Sequence, residues 1–177
     1  MAVTHSYALS SRAAGFSIFE LMIVLLLIAI LLALATPSFR EFTRSNQVTS
    51  TNNDLVTALN LARSEALRRS TAVTVCSSTN GTSCGTEDDW GSGWIVFEDA
   101  AGTGVIASDD KVVQKWSATN SAVKIVTAST NIKYQPTGTA ASSATIDVSF
   151  DSCKGPSKRH IQVSAAGSIS TQLRNCS

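Results

Sequence analysis

Residues 16–35 read FSIFELMIVLLLIAILLALA, an apolar run in which Glu20 is the single charged side chain. A helix of that length rises about 30 Å, the depth of a bilayer core. Such a segment needs lipid, or the sides of other helices, as its solvent. A carboxylate inside it costs about 3 kcal/mol on insertion. A secretory signal or a plain anchor gains nothing from that cost. Arg12 ahead of the run and Ala-Leu-Ala at 33–35 nevertheless fit a signal pattern with release at Ala35. The carboxylate makes sense if a cation arrives at the same depth. Cutting after Gly15 would place an α-amino group on Phe16, one helical turn from Glu20. The amine of a neighbouring chain could then pair with Glu20 and set the register of an assembly.

Gly-Phe-Ser-Ile-Phe-Glu at 15–20, with a polar leader before it and a long apolar helix after it, resembles the type IV pilin signature. That resemblance implies cleavage after Gly15 by a prepilin peptidase, methylation of the new amino terminus at Phe16, and Glu20 as the assembly charge. Pro37 falls on the family's helix proline. Ser17 and Phe19 depart from the threonine and aliphatic residue common in the family, and the leader carries one arginine.

Pro37 removes a backbone donor and should loosen the helix. A helical pattern then resumes, with Val48, Leu55, Leu59, Ala62 and Ala66 forming one apolar stripe. Arg63, Arg68 and Arg69 lie off the stripe and read as a solvated face. The polar stretch at 44–54 reads as a weakly helical spacer between the membrane and the packed portion.

Beyond Arg69 the period changes to two. TAVTVC, WIVFED, VVQKW, VKIV, IKYQ, TIDVSF and HIQVS are short β-rich runs, and SAAGSIST reads as a turn at 166–167 between the last two strands. The expected fold is α+β, with one long N-terminal helix, membrane-spanning in its first half, packed on an antiparallel β-sheet. Trp90 and Trp94, around two glycines, read as caps on the core.

LNLARSEALRR, VTVCSS and DWGSGWIVFED are similar to the GspH/FimT family of minor pilins and minor pseudopilins. With the start of the chain, the likeness spans most of the sequence. It implies a type IV pilin-like fold with a leader at 1–15, a transmembrane or filament-core helix at 16–36, its amphipathic continuation at 37–70, and a periplasmic β-rich domain at 71–177. The implied location is the bacterial inner membrane in a single pass, then a pilus or pseudopilus. The implied partners are prepilin peptidase and other pilins or pseudopilins in a helical filament. The leading function is a minor subunit that primes or builds a type IV pilus. The alternatives are a minor pseudopilin of a type II secretion system and a DNA-binding minor pilin of natural transformation.

Cys76, Cys84, Cys153 and Cys176 all follow the apolar run. An even number in an exported domain reads as disulfides. A zinc site would want Cys-x-x-Cys, which is absent, and His160 is the one histidine near them. Four cysteines allow three connectivities. The short loop between Cys76 and Cys84 favours a local pair, which leaves Cys153 for Cys176.

Net charge is +1, but it is unevenly spread: residues 85–110 hold seven acids and no bases, whereas 111–177 hold eight bases and two acids. The acids at 87–89 and 109–110 lack calcium-loop spacing and read as a solvated rim. Lys154, Lys158, Arg159 and His160, with Arg174, could converge through a bridge between Cys153 and Cys176 and grip DNA phosphates. DNA-binding members of the resembled family use glycine-arginine-x-arginine. The corresponding Gly167-Ser168-Ile169-Ser170 lacks both arginines, which argues against DNA as a partner. With His5 in the leader, His160 is the one remaining neutral-pH base, and the nucleophile, phosphate-loop and metalloprotease motifs are missing. The reading is no enzyme, no cofactor and no metal.

The mature chain is expected to start at Phe16, since a peptidase at the membrane face needs close backbone access at Gly15. Amino-terminal sequencing checks this. A start at Thr36 would restore the ordinary secretory signal and remove the filament reading.

Overall fold

A computed structural model describes residues 15–85, 90–107, 110–117, 119 and 122–176, and only the backbone of residues 34–38. The leader before Gly15 (Arg12 and His5 included), the acids at 87–89, Asp109 and the side chains of Ala35 and Pro37 lie outside the described residues. One helix, α1, covers Ile18–Arg69, and the backbone stays helical through position 37. The chain divides into two units, one ending at Arg40 and the other beginning at Glu41.

In the first unit the described side chains at 15–33 are all exposed. Among the described residues no helix is long and apolar enough to cross a membrane. The apolar part with described side chains, 18–33, rises roughly 24 Å. The expected span at 16–36 is thus not established by the described residues.

The second unit is built on the stripe of α1. Val48, Leu55, Leu59, Ala62 and Ala66 are buried, and Ala58 joins them. They share a core with Val73, Val75 and Val96 on one side and with Ile125, Ile146, Val148, Ile161 and Val163 on the other. Burying Leu55 and Leu59 contributes roughly 2 kcal/mol each. The supposed spacer at 44–54 is regular helix and already packed. Thr51 and Asn52 are buried, and the Arg44 guanidinium lies 6.0 Å from the Phe150 ring centroid. Tertiary packing overrides its weak helix propensity. Ser70, at φ 53°, takes the left-handed conformation that ends the helix.

The strands are β1 (Val73–Ser77), β2 (Gly93–Glu98), β3 (Val112–Ser117), β4 (Val123–Thr127), β5 (Asn131–Tyr134), β6 (Ala144–Phe150), β7 (Lys158–Val163) and β8 (Ile169–Arg174). They form two four-stranded antiparallel sheets, ordered β3-β2-β1-β5 and β4-β6-β7-β8. A single sheet was the expectation; α1 instead closes both.

The first sheet is covered on its other face as well. Cys76, Ile95 and Phe97 form a second small core there with Cys84 and Ile106. This is why β1 is buried at every position, Thr74 included, while β4 and β6 alternate as a one-sided strand does. Asp99, one of the seven acids at 85–110, is fully buried. Its carboxylate accepts bonds from Thr74 Oγ1 at 2.8 Å and from the Thr103 and Gly104 amides at 2.9 Å each. Asp110 likewise caps a turn by accepting from the Ala107 amide at 2.8 Å. Trp90 is buried and donates its indole N–H to Ser129 O at 3.2 Å.

Arg63 departs from the solvated-face expectation. Its Nε donates to Gly138 O at 3.0 Å and its Nη2 to Ala166 O at 3.5 Å, tying α1 to the turns after β5 and β7. Gly167 completes that junction at φ 80°, and a Cβ there would run into the Gly138 carbonyl oxygen. Gly167→Ala should therefore cost about 2 kcal/mol or more, from backbone strain together with the clash. Thermal unfolding of the disulfide-intact chain measures it. An unchanged midpoint would show that the two turns separate freely.

Candidate functional site

Gly15 to Ser17 precede the helix. Ser17 caps it: Oγ accepts from the Phe19 amide at 3.3 Å and the carbonyl accepts from the Leu21 amide at 3.1 Å. Glu20 sits in the first turn, where the positive end of the helix favours a carboxylate. Ser17 and Glu20 have the spacing of a capping box, a sequence signal that reading Glu20 as an assembly charge alone passes over. Gly15 has no atom within 4 Å of where a Cβ would be, and its φ is not left-handed. Among the described residues nothing asks for glycine there.

The surface after the cap is apolar on every side. Ile18 is 79% exposed, Phe19 70% and Leu31 66%. A helix greasy all round has to be covered by lipid or by other helices.

The basic residues split between two faces of the second sheet. Arg159 shares the α1-facing side of β7 with Ile161 and donates to Thr49 Oγ1 at 3.4 Å. Lys158 and His160 lie on the opposite face. There Asp147 of β6 receives His160 Nδ1 at 2.6 Å and Lys158 Nζ at 3.2 Å. Burial pushes the Asp147 carboxyl up, but the hydrogen bonds and charges of His160 and Lys158 outweigh it and hold it below the usual carboxylate range. Arg174 sits opposite Lys158 in the β7–β8 register, and Lys154 lies in the adjoining loop, both exposed. The expected convergence is thus reduced: Lys154 and Arg174 stay open, Lys158 is held by a carboxylate, and Arg159 is turned to the helix.

The arginines of α1 at 63, 68 and 69 are also engaged. Arg63 binds carbonyls, Arg68 pairs with Glu65 at 2.6 Å, and Arg69 bridges Glu65 at 2.5 Å and Glu98 at 3.0 Å. Hydrogen bonds from Arg68 and then Arg69 lower the Glu65 carboxyl to about 2.

Cys76 is bridged to Cys84, and Cys153 to Cys176. The first closes a loop over the outer core of the first sheet. The second ties the chain beyond β8 to the loop before β7, where the Cys176 amide also donates to Gly155 O at 2.9 Å. Among the described residues no group of side chains could hold a metal ion.

A family model described as type II transport protein GspH matches residues 51–167. The prokaryotic N-terminal methylation motif matches residues 10–36. Two crystal forms of the Pseudomonas aeruginosa type IV minor pilin FimU are similar in structure. One gives a TM-score of 0.57 at 22% identity, covering 75% of this chain and 92% of that one. The other gives 0.53 at 21% identity, covering 71% and 91%. The minor pseudopilin EpsH of the Vibrio cholerae type 2 secretion system gives 0.51 at 9% identity, covering 72% and 97%. At these identities the likeness shows the fold. Among curated proteins, none matches the sequence.

The Asp147 pair carries a pH dependence. Its folded pKa is depressed, so its stabilisation is present above the ordinary carboxylate pKa and is lost as pH falls through the lower folded value. Asp147→Asn should therefore lower the melting temperature at neutral pH. The gap from the parent should begin to narrow below about pH 4, the ordinary carboxylate range, and close only once pH has fallen through the lower folded value. A gap that does not change with pH would show that the carboxylate acts only by shape.

Proposed function

The chain belongs to the GspH family, and we propose that within it the protein is a minor pilin of a type IV pilus, cut after Gly15, methylated at Phe16 and built into the filament as a priming or early subunit. The observation that carries this reading is the exposed apolar helix at 18–33 that opens with Ser17 and Glu20, inside the segment matched by the N-terminal methylation motif. The prepilin is held in the inner membrane by residues 16–36. The same residues then become filament core, so one surface uses lipid first and neighbouring helices afterwards. Glu20 pairs with the amino group of the adjacent subunit and fixes the axial register.

The role is structural, not catalytic. Two disulfides fit an exported domain, in the periplasm or outside the cell alike. A minor pseudopilin of a type II secretion system is the second reading. A phosphate grip would rest on Lys154 and Arg174, so DNA uptake is not adopted.

Glu20→Ala tests the pairing. Removing the charge eases insertion, so the variant should be inserted and cut normally yet be depleted in sheared filaments by about tenfold, the effect of losing one charge-assisted contact. Immunoblots of membrane and filament fractions read both steps. Full incorporation of the variant would remove the pairing role. Failure of cleavage would move Glu20 to peptidase recognition.

A further inference from the structure

β7 is held against α1 at two points. Arg159, near its start, donates to Thr49 Oγ1, and Ala166 O, in the turn beyond it, accepts from Arg63 Nη2. From Thr49 to Arg63 the helix rises about 21 Å. From Arg159 to Ala166 an extended chain covers about 23 Å. The lengths agree, so β7 runs beside α1 and starts at the Thr49 end. The loop before β7 and the last residues of β8, which pair with its start, belong to that same end of the second unit.

Three exposed cations gather there. The Arg44 guanidinium lies over the Phe150 ring, and Phe150 O accepts from the Cys153 amide at 3.2 Å. Lys154 follows Cys153, whose bridge to Cys176 ties the end of β8, with Arg174, to the same loop. Arg44, Lys154 and Arg174 have no ion-pair partner among the described residues. Of the carboxylates at this end, Asp147 already holds Lys158 at 3.2 Å and Asp151 holds Lys124 at 2.8 Å. Glu41 on α1 is exposed and opposes the three cations with one charge.

We propose that this end of the second unit docks on anionic lipid, with Arg44, Lys154 and Arg174 on headgroup phosphates. The inference rests on the membrane-held stage proposed above, in which residues 16–36 lie in the bilayer. Chain length keeps Arg44 near that bilayer. Between position 36 and Arg44 the chain covers about 12 Å as helix and at most about 29 Å fully extended. The headgroup layer adds roughly 6 Å to the hydrocarbon, and the field beyond it decays over about 8 Å. Phe42 favours lipid over another polyanion. It is 64% exposed and lies about 3 Å along α1 from Arg44, on a different side of the helix. A surface that surrounds α1 meets both sides, giving the ring the acyl boundary and the guanidinium a phosphate. Duplex DNA laid against one side would leave the ring in water. Three screened contacts hold weakly, which suits a subunit that must later leave the membrane.

The test uses the full processed chain, disulfides intact, in nanodiscs of neutral phosphatidylcholine alone or with about 30% phosphatidylglycerol. A few headgroups carry a nitroxide, and broadening of amide resonances reads nearness to the surface. The amides of Lys154, Gly155 and Arg174 should broaden about threefold more in the anionic discs than in the neutral ones. The difference should vanish at about 1 M salt, where screening is complete within about 3 Å. The amides of Gly138 and Gly167, at the Arg63 end, should respond to neither lipid. Lys154→Gln with Arg174→Gln should return the loop to the neutral-lipid level. Both side chains are exposed, and unchanged shifts elsewhere show that the fold is kept. Equal broadening in the two lipids, or a double variant that behaves as the parent, overturns the proposal. So does duplex DNA that displaces the loop from anionic discs at physiological salt, which would assign the cations to DNA. A chain that enters neither disc contradicts the membrane-held stage itself, whereas an inserted chain indifferent to lipid charge contradicts the docking alone.

Discussion

The globular unit depends on one seam, where Ala58, Ala62 and Ala66 bring α1 close enough for the same face to close two sheets. Larger side chains there would hold the helix off, and a polar one would leave an unpaired group in the core. Arg63 sits beside the seam and donates to carbonyls of two separate turns. The seam also buries the Tyr134 hydroxyl without a hydrogen-bond partner among the described residues. Burial pushes that phenol up to about 12, with the Arg63 charge pulling the other way. A buried hydroxyl without a bond is a local cost that the surrounding apolar packing offsets.

Much of this architecture was legible because period and punctuation carry it. Val48, Leu55, Leu59, Ala62 and Ala66 declared the buried stripe, and every strand from Val73 onward sits on a β-rich run or beyond the turn at 166–167. The division into two sheets was not legible. Alternation says which face of a strand is wet, not which strand lies next to it, and β1 finds one of its partners in β5. The continuous burial of β1 follows from a loop folding over its far side, which the strand's own residues do not announce. Arg63, Asp99 and Asp110 look like surface charges in the sequence. Their roles depend on carbonyls, hydroxyls and amides brought near them by folding.

The candidate site was legible unevenly for the same reason. Gly15, Phe16 and Glu20 lie within six residues, and reading them as a pattern needs no tertiary structure. The Ser17 cap was in the sequence too, as serine followed three residues later by glutamate, and it gives Glu20 a local role beside any intermolecular one. The basic cluster depended on sheet geometry. Adjacent residues on a strand point to opposite faces, so Lys158 and Arg159 could not both serve one surface. The register that sets Asp147 beside His160 is a product of β6–β7 pairing.

What unites the two units is a change of solvent. The second unit buries its apolar face within itself, whereas residues 18–33 leave theirs for lipid or for other subunits. The most direct test places a photoreactive benzoylphenylalanine at Leu27, in the middle of that run. The account predicts lipid adducts in the membrane fraction and, in sheared fibres, adducts to the corresponding helix of another pilin. Fibres without a protein adduct at that position, or a chain found only in lipid adducts, would contradict it.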